Sequence, residues 1–322
     1  MKTRVGVIYG GRSGEHEISL RSAKSIIEAL NPEKYTVLHF VISKEGKWSP
    51  RPIVAEPHAN PEIDVVFPVL HGTFGEDGTM QGLLELADLP YVGAGVLASS
   101  LSMDKELMKR VAAARGLPVA DFYVAPTQGD PVSQDFGYPV FVKPANLGSS
   151  VGISKARDSA ELKAAIKLAS TFDRKVIVER AIVGREFECA VLGNEDPIAA
   201  VPCEILPSRD FYDYEDKYLL DKAQTVIPAD LTPEKTAEMQ RLAVECYRAV
   251  ECEGMARVDF LLETATDRLY INEINTIPGF TSISMYPKMW EYSGLAMPKL
   301  IDRLIELAFS RYEAKKRLRY SK

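Results

Sequence analysis

Cysteine is sparse in this chain, and its spacing suits nothing but packing. Cys189, Cys203, Cys246 and Cys252 form no CxxC pair, which excludes a zinc ribbon or a disulfide framework and reads as reduced thiols in a cytoplasmic protein. Long apolar runs are missing too. None approaches the roughly 20 residues that span a bilayer, so no membrane partner is expected. VGVIY, behind Lys2 and Arg4, is too short for a signal-peptide core and stops at Gly10-Gly11. Positive charge is not in excess. At a net charge of -6 the chain lacks the clustered cations that a nucleic-acid partner requires. Its basic end, EAKKRLRYSK, reads as a solvated helix end favoured by the helix dipole. There is no internal repeat and no low-complexity tract. A dinucleotide fingerprint is also absent, because IYGGRSGEHEIS does not have the GxGxxG spacing.

What is present is an α/β chain of 322 residues, long enough for two or three domains. VGVIYGG, YTVLHFVI and IDVVFPVL read as buried strands, and SLRSAKSIIEAL as a helix. Together they predict a parallel-sheet unit ending near VGAGVLASS. A helix, MDKELMKRVAAARG, follows and is closed by Gly116. Strands at FYVA, YPVFVKP and KVIVER surround the loop ANLGSSVG and the helix SAELKAAIKLAS. The remainder holds strands at REFECAVLG and IAAVPCEIL, a polar aromatic stretch SRDFYDYEDKYLLDK, a long helix TPEKTAEMQRLAVECYRAVEC and a hairpin.

That hairpin, RVDFLLETATDRLYINEIN, gathers charge at its rim. Residues two apart on a strand face the same way, so Arg257 shares a face with Asp259, and Glu273 with Asn275. A fold about Thr266 sets Asp259 opposite Glu273 and Arg257 opposite Asn275. Two close carboxylates repel unless something positive relieves them. Either a hard cation such as Mg²⁺ does so through oxygen ligands, or the acids pair with Arg257 or Arg268. In VFVKPANLGSSVG, Lys143 closes a strand that Pro144 ends. The glycines and serines behind it offer backbone N–H and hydroxyl donors to phosphates. Because the lysine precedes the glycines, this is not a Walker loop. Glu15, at a helix N-terminus, suits either a capping role or a ligand. His71 in HGTFGEDG reads more simply as structural. The SRDFYDYEDKY stretch reads as a lid over a site.

Lys143 with GSSVG, the Glu179–Glu186 hinge and RVD…NEINTIPGFT resemble the ATP-grasp ligases. With GGRSGEHEISL, HGTFGEDGTMQGLLE, LSMDK and FYDYEDKY added, the whole chain resembles the D-alanine–D-alanine ligase family. That resemblance implies a three-domain ATP-grasp fold: an N-terminal α/β domain (1–98), a central subdomain (99–183) and a C-terminal subdomain (184–322), with nucleotide between the last two. It implies a cytoplasmic homodimer that uses ATP and two Mg²⁺ ions, with Mn²⁺ as a substitute, to join two D-alanines for peptidoglycan synthesis. Asp259, Glu273 and Asn275 would hold the metals, and Lys105, Lys143 and Ser150 the phosphates. Glu179, Arg180 and the Ile182 backbone would receive adenine, and Glu186 the ribose. Arg180 departs from the lysine that relatives often carry. Glu15 would bind the first ammonium, linked to Ser149 and Tyr218. Arg257 and the Gly279 N–H would stabilise the oxyanion, while Lys217 reaches the transferred phosphate. His71 would touch substrate, and Ser284 with the Met285 backbone would hold the second carboxylate. Ligases that use D-lactate or D-serine as acceptor are the alternative; the lactate type offers histidine where this chain has Tyr218. A non-catalytic ATP-binding module should lack the metal triad or the arginine.

Overall fold

A computed structural model of the protein describes residues 1–126, 136–148, 151–206 and 224–319. Near the N-terminus, β1 (Thr3–Gly10) pairs in parallel with both β2 (Tyr35–Ile42) and β4 (Val65–Val69), while β3 (Trp48–Ser49) closes the β2 edge antiparallel. Parallel strands need cover on both faces, and the side-chain alternation provides it. Val5 and Val7 of β1, with Phe67 and Val69 of β4, meet Ala23 and Ile26 of α1 (His16–Ala29). Ile8 and Val66 point the other way, onto Met80 and Leu84 of α2 (Thr79–Leu86).

Two helices lead out of this unit. The sequence predicts one helix from Met103, but α3 (Val96–Met103) ends there and α4 (Lys105–Ala114) begins two residues on. The physical reason is Asp104, whose Oδ1 accepts the Leu107 N–H at 3.1 Å as an N-cap. A second sheet follows, in the order β5-β8-β6-β7 and antiparallel throughout: β5 (Phe122–Ala125), β6 (Val140–Pro144), β7 (Ser154–Ala156) and β8 (Val176–Arg180). Val140, Val142, Val176 and Val178 pack on Leu162 and Ile166 of α5 (Ser159–Ala169). Lys143 and Glu179 therefore lie on the opposite face.

The third sheet comprises β9 (Gly184–Gly193), β10 (Ile198–Ala199), β11 (Cys203–Leu206), β12 (Gln224–Val226), β13 (Gly254–Glu263) and β14 (Arg268–Asn275), with β9 and β13 central. IAAVPCEIL reads as one strand in the sequence, yet it is broken into β10 and β11 around Pro202, which has no N–H for the ladder. Along β9, Phe187, Cys189 and Val191 face α6 (Pro233–Ala249), while Ala190 and Leu192 face the other side. There they meet α7 (Met285–Tyr292) and α8 (Met297–Lys316).

The stripe Leu300, Ile301, Leu304 and Ile305 of α8 packs against residues from both β1 and β9. First and third sheets thus share one core. Leu304 is fully buried in it, so Leu304→Ala should cost about 2–5 kcal/mol. The expected result is a thermal midpoint lowered by several degrees in calorimetry, with the secondary structure seen by far-UV CD retained at 25 °C.

Candidate active site

The β13–β14 hairpin turns through residues 264–267 and sets Arg257 opposite Asn275 and Asp259 opposite Glu273. A bulge after Asp259 leaves Asn272 between the paired residues, and its Oδ1 accepts from Lys143 Nζ at 3.2 Å. Arg257 donates two hydrogen bonds to Asp259, each 2.7 Å, and lies 3.2 Å from Glu188 on β9. Burial alone would weaken the guanidinium's hold on its proton, but Asp259 and Glu188 outweigh it and keep Arg257 charged. Asn275 donates to the same Asp259 carboxylate at 3.0 Å.

Behind this rim lies a buried ion cluster. Glu179 on β8 takes Lys143 Nζ at 2.5 Å and pairs with Lys109 of α4. Lys105, one helical turn earlier, reaches Glu273 Oε2 at 3.3 Å and donates to the Leu147 carbonyl at 2.7 Å. Burial would raise the Glu179 carboxyl, but Lys109 and Lys143 override it and hold it at about 2. Burial in turn pushes the Lys109 ammonium below its ordinary value. Three cations and two carboxylates are thus joined across the junction of the second and third sheets.

In front of the rim is a cavity of ≈ 570 Å³. Glu15, His71 and Gly148 line one side, and Glu273, Gly279 and Ser284 the other. Glu15 precedes α1, and its Oε2 would lie 2.5 Å from a Cβ added at Gly72, where a φ of +73° favours glycine. Ser284 precedes α7 and accepts the Thr281 N–H at 2.9 Å, and its Oγ would lie 2.7 Å from a Cβ at Gly279. Glu76, from the loop after β4, also lines the wall; burial and the nearby Glu15 push its carboxyl up to about 8. The cavity therefore offers carboxylates towards β1 and backbone donors with a guanidinium towards β14. That arrangement suits a zwitterionic ligand.

Sequence comparison places this architecture among known proteins. A D-alanine–D-alanine ligase from Solibacter usitatus is 67% identical over 326 residues that span all of both chains. The chain belongs to the D-alanine–D-alanine ligase family. The family profile for the D-ala D-ala ligase C-terminus matches residues 111–306, and that for the N-terminus matches residues 4–59 and 50–94. A D-alanine–D-alanine ligase from Caldicellulosiruptor bescii is 47% identical over 360 residues, covering 100% of this chain and 99% of the relative. Among solved structures, the D-alanine-D-alanine ligase from Coxiella burnetii superposes with a TM-score of 0.86 at 39% identity, covering 98% of this chain and 96% of that one. A D-Ala:D-Ser ligase from Enterococcus faecalis gives 0.86 at 34% identity, covering 96% and 100%.

Of the residues that the ligase pattern singles out, Arg257, Asn275 and Met285 also line the cavity, and Asp259 lies beneath Arg257. Ile182 is buried against Ala120 and Tyr270, where the second sheet gives way to the third. Arg180 donates to Glu263 at 2.7 Å and lies over the Tyr270 ring. Glu186 sits on β9 opposite Ile205 and Leu261. Ser149, Ser150, Lys217 and Tyr218, with the FYDYEDKY stretch, lie outside the described residues. Sequence reading missed Lys109, Glu188 and Glu76. Lys109 had a signal: with Lys105, Met108 and Ala112 it makes an i, i+3, i+4, i+7 stripe, and it is a charge at a core position. Glu188 lies two residues beyond Glu186 on the same strand, hence on the same face.

The buried Glu179 has a measurable consequence in this ligase-family chain. Its carboxyl lies at the usual 4.5 when free and at about 2 when folded, so its ionisation favours the folded state above pH 4.5. Roughly 3 kcal/mol of that stability is lost as the pH falls from 4.5 through about 2. Urea unfolding at a series of acidic pH values should show this limb, and Glu179→Gln should flatten it while lowering stability at pH 7.

Proposed function

We propose that this chain joins two D-alanines to D-alanyl-D-alanine at the expense of ATP, through an acyl phosphate, to supply peptidoglycan precursors. The observation that carries the reading is the 3.3 Å contact of Lys105 with Glu273. It unites a set of buried cations suited to phosphates with an acidic rim and an amino-acid-sized cavity. In this reading ATP lies between the second and third sheets, with its phosphates on Lys105, Lys143 and Ser150. Adenine rests against Glu179, Arg180 and the Ile182 backbone, and the ribose on Glu186. Glu15 holds the ammonium of the first D-alanine, with Ser149 and Tyr218 linked to it and His71 alongside. Its carboxylate oxygen attacks the γ-phosphorus, the bond to the bridging oxygen breaks, and ADP leaves. Lys217 accompanies the transferred phosphate. Ser284 and the Met285 backbone hold the second carboxylate, so that its amine faces the activated carbonyl. Arg257 and the Gly279 N–H stabilise the negative oxygen that develops there. Phosphate then departs with the electron pair of the C–O bond.

Asp259, Glu273 and Asn275 form an all-oxygen donor set that fits a hard cation. Mg²⁺ typically takes one or two carboxylates and leaves its other positions to phosphates and water. Among the described residues no group of three or more His, Cys, Asp or Glu gathers as a cage, and a substrate-completed site needs none. Two Mg²⁺ ions, or Mn²⁺ in their place, would neutralise charge on the phosphates. The sheets occupy residues 3–69, 122–180 and 184–275, which supports a division into 1–98, 99–183 and 184–322. Leu86 and Leu97, 65% and 56% exposed on α2 and α3, support a homodimer. Four buried free thiols support a cytoplasmic location, and no helix among the described residues is long and apolar enough to cross a membrane.

Three outcomes are expected. With D-alanine labelled by ¹⁸O in its carboxylate, one labelled oxygen should appear in inorganic phosphate for each dipeptide made; label in AMP would overturn the acyl phosphate. Run in parallel, D-serine and D-lactate as acceptors should release less ADP than D-alanine, and the opposite order would favour the acceptor of the Enterococcus relative. Asp259→Asn should abolish ligation with an unchanged far-UV CD spectrum, because a neutral amide is a poorer ligand for a hard cation.

A further inference from the structure

The loop after β14, residues 276–280, supplies the Gly279 N–H, yet few of its own backbone contacts hold it. Three side chains from the N-terminal unit do so instead. Glu76 accepts the Gly72 N–H on Oε2 at 2.8 Å and the Ile277 N–H on Oε1 at 3.2 Å. His71 Nδ1 lies 3.0 Å from the Ile277 carbonyl, and its Nε2 3.0 Å from Ser22 Oγ. Ser22 Oγ in turn accepts the Phe280 N–H at 3.2 Å.

The tautomer follows from the partners. A carbonyl oxygen can only accept, so Nδ1 carries the proton. Burial pushes the His71 imidazole below its ordinary value, which keeps the ring neutral and leaves Nε2 to accept the Ser22 hydroxyl proton. The Ser22 hydroxyl, the His71 Nδ1–H and the N–H groups of Gly72, Ile277 and Phe280 then each meet an acceptor. Both backbone groups of Ile277 and the N–H of Phe280 are fixed by side chains more than 200 positions away in sequence. Between these anchors stand Pro278, whose ring fixes φ, and Gly279. Pinning residues 277 and 280 therefore sets the direction of the Gly279 N–H.

We propose that Ser22, His71 and Glu76 are positioning residues that form a clasp on the 277–280 loop and aim its backbone donor at the carbonyl undergoing attack. The clasp rests on the ligation reading above and assigns these residues a role in its second step. In that step the amine of the second D-alanine forms the C–N bond, the C–O bond to phosphate breaks, and phosphate leaves with the electron pair and takes up the proton that the amine loses. The developing oxyanion appears only on this path. A displaced donor therefore slows amide formation and leaves the earlier phosphoryl transfer alone.

Rapid-quench kinetics on Ser22→Ala and Glu76→Gln tests this. Ser22→Ala removes one oxygen from a fully buried position and leaves the substrate cavity intact. Glu76→Gln places an amide N–H₂ against one of two N–H donors. First-turnover ADP formation by Ser22→Ala should stay within about twofold of the parent enzyme, while dipeptide formation falls about fivefold for Ser22→Ala and tenfold or more for Glu76→Gln. KM for ATP should be unmoved, and an ADP burst should precede the steady state. A parallel fall in both rates, a raised KM for D-alanine at constant kcat, or unchanged kinetics in a folded Ser22→Ala would each overturn the clasp. If the parent enzyme makes no dipeptide at all, the ligation reading fails instead. Should Glu76→Gln not fold, Ser22→Ala alone decides.

Discussion

The register of β14 on β13 is the constraint on which the site depends. The side-chain period along a strand is two residues, so a slip by one would send Glu273 and Asn275 to the face that carries Val258 and Phe260, and the acid and the amide would be buried against α6. Hydrophobic alternation prevents this. Val258, Phe260 and Leu262 of β13 and Leu269, Ile271 and Ile274 of β14 occupy one core, and each adds burial only in the observed pairing. The apolar face thus fixes where the charges stand, and the single bulge then turns Asn272 towards Lys143. A packing requirement on one side of the sheet becomes a chemical arrangement on the other.

Charge in the interior is tolerated because it comes in compensated sets. Glu179 alone would be neutralised by burial; between Lys109 and Lys143 it stays ionised. Arg257 is likewise held by Asp259 and Glu188. In the proposed reaction, incoming phosphates and a developing oxyanion would meet charge that is already oriented and would need little reorganisation. In each case the partners come from different elements: α4, β6 and β8 for the first set, and β9 and β13 for the second.

Much of this was legible in the sequence, and what was not has a physical reason. The rim pairing could be read from period-two alternation and a polar turn, but the bulge could not: Glu263 pairs with Arg268, off a fold centred on Thr266, and the extra Asn272 brings Glu273 back opposite Asp259. The parallel N-terminal unit could be read from its apolar runs. The break at Pro202 and the start of α4 at Lys105 required local chemistry, a missing N–H and an Asp104 cap, that a hydrophobic pattern overrides on paper. Lys109 was hidden because a lysine on a helix is ordinarily solvated, and only the tertiary meeting with Glu179 makes it internal. Ser22 and Glu76 were hidden for another reason. Their partners are backbone groups some 200 positions away, and no local pattern encodes such pairs.

The division of the cores governs how the molecule can deform. The first and third sheets share the α8 core, and α4 belongs with the third sheet through Met108 and Ala112. The second sheet and α5 close a core of their own. At the seam between them, Ala120, Ile182 and Tyr270 form a small apolar patch. Much of the remaining attachment is ionic: Lys109 and Glu179, and Lys175 at 2.6 Å from Asp104 and 2.8 Å from Glu106. Apolar seams respond mainly to temperature, whereas one stitched by ion pairs responds to the charges that enter it. In the proposed reaction, a polyanion arriving beside Lys105 and Lys143 would compete for the cations that fasten the second sheet. The stiffness of this seam would then be a property of the protein and its ligand together.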